Sequence, residues 1–163
     1  MESNTLIAGL IALAICLLPF VLVSRNRKIK ERQLTQALQA IASQNYGQVD
    51  EYDAWGNTAI GLDKKANAII FYKHTKDEVI SHYISLAEVQ ECQVMNTHKV
   101  FQEKESTYEV TYKLELVFTL EDPKQTPITL EFYNKDHDSS TPSGEIEIVE
   151  KWFQIIQQKV EAI

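Results

Sequence analysis

Along residues 108–120 apolar and polar side chains alternate almost without a miss. Tyr108, Val110, Tyr112, Leu114, Leu116, Phe118 and Leu120 share one face, and Glu109, Thr111, Lys113, Glu115, Val117 and Thr119 share the other. This period of two predicts a long strand in a sheet with one wet side. At about 3.3 Å per residue it would run roughly 40 Å, so it is expected to bend. Shorter apolar runs predict further strands at Thr58 to Leu62, Ala68 to Tyr72 and Val79 to Leu86, with Asp63 to Asn67 as a hairpin loop. Glu88 to Val100 reads as a less regular strand, and Ile128, Leu130 and Phe132 as another, after the break at Asp122-Pro123.

Two segments show the helical period instead. Leu34, Ala37, Leu38 and Ile41 form one stripe within residues 24–44, and Asn45-Tyr46-Gly47 reads as the helix stop. Val149, Trp152, Phe153, Ile156 and Val160 form a second stripe, with Glu145, Glu147 and Glu150 in the early turns and Thr141-Pro142 as the expected start.

The N-terminal run has no period at all. Leu6 to Val23 holds 18 residues without a charge, enough to cross roughly 27 Å of hydrocarbon as a helix. Arg25, Arg27, Lys28, Lys30 and Arg32 follow at once. A basic flank of this kind stays on the cytoplasmic side. A cleaved secretory signal would carry its basic residues before the apolar stretch. The expectation is a single-pass cell-membrane protein with residues 1–5 outside, a transmembrane helix over 6–23, and a basic collar and juxtamembrane helix over 24–45. A single mainly-β cytoplasmic domain over 46–163 would follow. The juxtamembrane stripe can pack on that domain or on a second copy.

Charge sharpens this picture. Beyond residue 32 the chain has 11 basic side chains against 21 acidic ones, a formal −10. Such a body is repelled by phosphate backbones, which argues against nucleic-acid binding. Cys16 lies in the apolar run and Cys92 is alone in the domain, so no disulfide framework is expected.

The predicted strands followed by one amphipathic helix resemble the pleckstrin-homology-like fold. They are similar to small membrane-anchored bacterial proteins that carry it, most of them uncharacterised. The resemblance is architectural and covers residues 55–162. It implies an α+β fold in which a bent antiparallel sheet or small barrel is closed by the C-terminal helix, with Trp152 and Phe153 as the plug behind Leu130 and Phe132. Phosphoinositide-binding members of that family use a Lys/Arg cluster in the first hairpin loop. Here that loop has only Lys64 and Lys65, beside Asp63, so a lipid site is not expected there.

Chemistry-bearing motifs are scarce. His74, His82, His98 and His137 form no metal-ligand pair, and Asp136-His137-Asp138 is at most a weak cation loop. Glu103 and Glu105 fall in an apparent loop. No G-x-S-x-G, Walker or dinucleotide glycine pattern occurs. No enzyme, cofactor or metal is expected. Tyr46, Tyr52 and Trp55 precede the first predicted strand and are a candidate interaction patch. The sequence therefore points to a membrane-tethered interaction or scaffold domain whose partner is a membrane-associated protein. The alternatives are a pilin-like assembly protein, which would need a basic leader and an early glutamate, and a barrel holding a small apolar ligand.

Overall fold

The computed structural model describes residues 25–103, 106–138, 142 and 144–162, with the side chains of 101–103 and 106–108 also outside the description. The fold is α+β. Helix α1 (25–44) precedes strands β1 (Glu51–Trp55), β2 (Thr58–Asp63), β3 (Ala68–His74) and β4 (Val79–Ser85). A 3-10 turn at Leu86–Glu88 leads to β5 (Val89–Glu103), β6 (Ser106–Leu120), β7 (Ile128–Asn134) and helix α2 (Glu145–Val160).

The strands form two antiparallel sheets, in the orders β1-β2-β3-β4 and β5-β6-β7. This overturns the expected single bent sheet or small barrel. The long strand does not wrap around a barrel. It pairs with an equally long β5 in a hairpin whose two strands have 15 residues each, and β7 covers β6 only from Lys113 to Phe118. Beyond that stretch the hairpin is a two-stranded arm. Only the proximal part of the apolar stripe is core: Leu114, Leu116, Phe118 and Leu120 are buried, whereas Val110 and Tyr112 are half-buried.

The helix at the C-terminus is not a closing plug. Its buried residues Val149, Trp152 and Ile156 join the core between the sheets. Trp152 Nε1 donates to Asp53 Oδ2 on β1 at 2.8 Å, and Lys151 Nζ pairs with the same oxygen at 2.6 Å. A buried indole needs an acceptor, and this one holds α2 between β1 and the second sheet. α2 also begins later than Thr141-Pro142 predicts, with Gly144 as N-cap; Thr141 lies outside the described residues.

The N-terminal part of the expected architecture needs correction too. Among the described residues no helix is long and apolar enough to cross a membrane. The run Leu6–Val23 and residues 1–5 lie outside them. α1 is not a free stalk. Leu34, Leu38 and Ala42 pack on Ala59 and Ile70 of the first sheet, with Ile41, Val49, Ala54, Tyr72 and Tyr83 at the margin. The opposite face of that sheet, carrying Ile60, Leu62, Ile69 and Phe71, meets the second sheet and α2.

The end of α1 is fixed by two contacts. Gly47 N donates to Ala42 O at 2.9 Å and Tyr46 N to Ser43 O at 3.1 Å, the bond pair of a Schellman motif. The left-handed residue is Tyr46, at φ 59, an unfavourable place for a bulky side chain. Gly47 is needed for another reason: a Cβ there would lie 2.2 Å from Asp63 Oδ2.

Candidate functional site

Three of the four outer strands of the two sheets, β7, β1 and β5, have different surroundings. At β7 the carbonyl of Phe132 accepts from Trp55 Nε1 at 3.0 Å, and Lys73 Nζ reaches the carbonyl of Glu131 at 3.4 Å. β1 is tied to α2 through Asp53. Among the described residues β5 has β6 as its only strand neighbour, and a groove lies beside it. Gln90, Glu91, Cys92, Gln93 and Val94 line this groove together with Phe153, Gln157, Val160 and Glu161 of α2, around about 530 Å³.

The lining pattern identifies the geometry. Side chains of a strand alternate between faces, so a surface pocket lined by one face takes every second residue. Five successive residues line this groove: Glu91 to Val94 alternate as regular strand, so both faces contribute, as when a strand is presented edge-on, and Gln90 beside them is set out of register by a bulge. Residues 153, 157, 160 and 161 are one face of a helix. The groove has an apolar floor from Cys92, Val94, Phe153 and Val160, and carboxylates Glu91 and Glu161 at its rim. Burial, then the charge of Glu91, pushes the Cys92 thiol up to about 12. It is therefore an inert apolar group and not a nucleophile.

A second polar cluster joins the sheets. Lys73 is almost wholly buried and pairs with Glu131 at 3.0 Å and Asp138 at 3.3 Å. Asn134 Nδ2 donates to Glu131 Oε2 at 2.7 Å, and Asn134 N donates to Asp138 Oδ2 at 2.8 Å. Burial by itself would raise the Glu131 pKa, but the donors Lys73 and Asn134 and the charges of Lys73 and Lys113 bring it below the ordinary value. Each polar group here has a protein partner, as an inter-sheet latch requires.

Asp63 is a third fixed carboxylate. It accepts from Gln48 N, Lys65 N and Ala66 N at 2.8, 2.9 and 2.8 Å. Burial raises its pKa, and these three donors with the Lys65 charge outweigh that effect and lower it.

The residues singled out in the sequence are scattered. Arg25, Arg27, Lys28, Lys30 and Arg32 are all exposed on the first described turns of α1, and none makes an ion pair among the described residues. Arg27 and Lys30 border a smaller cleft of about 270 Å³ with Trp55 and Gly56. Tyr46, Tyr52 and Trp55 are not brought together. Tyr46 is fully exposed at the end of α1, and Tyr52 faces Lys28, Arg32 and Gln36. Trp55 is stacked on Phe132, with ring centroids 4.9 Å apart.

Lys64 pairs with Glu51 at 3.4 Å. In the acidic loop, Asp138 is engaged by Lys73 and Asp136 by the Tyr112 hydroxyl. Among the described residues no group of three His, Cys, Asp or Glu could hold a metal ion. Glu105 and the side chain of Glu103 lie outside the described residues.

Sequence reasoning missed the groove. One signal was present: the α2 stripe is wider than its core contact, and Phe153 and Val160 remain only half-buried at its flank. The edge position of β5 depends on sheet order, which no local pattern encodes. Comparison with known families, curated proteins and solved structures finds no match for this chain.

Proposed function

We propose that this chain is an interaction module that captures an extended polypeptide segment along the free edge of β5, in the groove against α2. The observation that carries this reading is the run of five successive β5 residues lining a groove whose opposite wall is a helix face. An unpaired strand edge offers N–H and C=O groups in register for a guest strand. Main-chain bonds give such a complex its affinity, and pockets for alternate side chains give it selectivity. The half-buried Phe153 and Val160 would take apolar guest side chains, while Glu91 and Glu161 favour a guest with Lys or Arg.

The role is binding rather than catalysis. The Cys92 thiol is kept protonated in the groove, and the buried ionic groups Lys73, Glu131 and Asp138 satisfy one another. The sequence supports a site of action at the cytoplasmic face of the cell membrane: Leu6–Val23 is uncharged and the basic cluster 25–32 follows it. The partner would then be a membrane-associated protein. A reporter fused after Ile163 that proved to be exported would overturn this placement.

The binding reading is tested by selecting decapeptides from a random library against the full chain in mild detergent. Selected peptides should alternate apolar residues, carry a basic residue, and slow amide exchange at Gln90–Val94. Val160→Glu should abolish their binding while leaving the unfolding transition cooperative. Protection confined to another strand, or binding unaffected by Val160→Glu, would sink the proposal.

A further inference from the structure

We infer that the guest fitting this edge is the β5 strand of a second copy of the chain, paired antiparallel about a two-fold axis at Met95. The inference rests on the edge-binding reading above and names its partner. Three observations carry it.

The first is charge. In β5 the residues Glu91, Gln93, Met95, Thr97 and Lys99 share the face opposite Cys92, which packs toward the core. Antiparallel pairing with Met95 opposite its own copy puts Glu91 opposite Lys99 of the second copy, and Lys99 opposite the second Glu91. Both charges are already positioned at the surface. Gln93 Nε2 donates to Glu91 Oε1 at 2.8 Å, and Lys99 Nζ rests 3.2 Å from the centroid of the Tyr112 ring. A lysine on an edge strand ordinarily discourages pairing with another sheet. In this register it meets a carboxylate at both ends of the interface.

The second is the groove. On the α2 side the same register places His98 of the second copy opposite Cys92, and its Val100 beside the bulge at Gln90. Val100 is 66% exposed, among the most exposed large apolar residues of the described chain. It would enter the space walled by Phe153 and Val160. The alternation in β5 is intact from Glu91 to Val100, because the irregularity near Thr97 inserts its extra residue, Tyr112, in β6, whereas the one between Val89 and Glu91 leaves Gln90 as a bulge at the end of this stretch.

The third is the arm. From His98 onward the partners of β5 on β6 lie before Lys113, where β7 no longer covers the hairpin. A two-stranded ribbon is marginal in water by itself. Pairing with a second β5 turns both arms into parts of a continuous six-stranded sheet, two copies of β5-β6-β7 joined edge to edge.

Charge reversal tests this in the full chain, in mild non-ionic detergent, by sedimentation across a concentration series. The wild type should dimerise. Glu91→Lys and Lys99→Glu should each raise the concentration of half-dissociation about tenfold or more, since each turns two attractive cross-strand pairs into repulsive ones. The double reversal Glu91→Lys/Lys99→Glu should restore it to within about threefold. A chain that stays monomeric overturns the inference, as does a dimer indifferent to the single reversals or one not rescued by the double. Library-selected peptides that still protect Gln90–Val94 in such a monomer would leave the edge-binding reading standing. Their absence would remove both.

Discussion

Tyr46 spends its backbone in the left-handed region at φ 59 while its side chain touches nothing, being fully exposed. Glycine populates that region freely, so Tyr46→Gly should stabilise the fold by about 0.5–1 kcal/mol, measured by urea unfolding. A loss of stability would mean that the exposed ring makes contacts worth more than the strain. Asp63 makes the opposite case, a residue whose chemistry is fully used. Its folded pKa lies below the ordinary value, so the unfolded chain holds the proton more tightly. Its contribution is therefore fully present above the unfolded value, about 3.9, and is lost as pH falls through the folded one. Asp63→Asn sets an amide N–H against a backbone donor. It should cost about 1–3 kcal/mol at pH 7 and flatten the stability–pH curve below about pH 4, read from urea midpoints across pH. The sequence shows Asp63 as a hairpin residue and Gly47 as a helix stop. That one needs the other to be small is a tertiary fact, visible only when α1 folds back over the β2–β3 turn.

At the level of elements, the apolar stripes were legible and their partners were not. β2, β3, β4, β6 and β7 lie where alternation and turn residues put them. β1 escaped because its apolar pattern serves two layers. Ala54 faces α1, whereas Asp53 and Trp55 face the interior, where the charge is absorbed by Lys151 and Trp152. A charged residue on the inner face breaks the alternation that reveals a half-buried strand. The turn Trp55-Gly56-Asn57-Thr58, with Gly56 at φ 49, was the remaining hairpin signal. The stripe of α1 left two packing partners open, and the first sheet is the one it uses. Leu38 is fully buried there, so Leu38→Ala should cost about 2–5 kcal/mol, against less than about 0.5 for the exposed Gln33→Ala. Equal tolerance of both in denaturant titrations would detach α1 from the sheet.

For the whole molecule, the arrangement is α1 on one face of the first sheet, with the second sheet and α2 on the other. Trp152 is where these layers meet, buried in the core and bonded to β1. Trp152→Ala should cost about 3–5 kcal/mol. Asp53→Asn keeps an acceptor for the indole and loses only the ion pair with the exposed Lys151, so it should cost less than about 1 kcal/mol. A larger effect of Asp53→Asn than of Trp152→Ala in thermal unfolding would mean that charge, not packing, seats the helix. The groove belongs to this scale as well. It exists because the second sheet ends at β5 with α2 alongside, and neither circumstance is written in any one segment.

The bond between Asp53 and Trp152 spans 99 residues of chain. During synthesis at about 5–20 residues per second, β1 therefore waits some 5–20 s for the helix that completes its inner face. Ile60, Leu62, Ile69 and Phe71 lack their partners on the second sheet until β5–β7 have emerged, and those on α2 for the whole interval. The inner faces of β1 and of the first sheet are thus completed late, by elements that follow them in the chain.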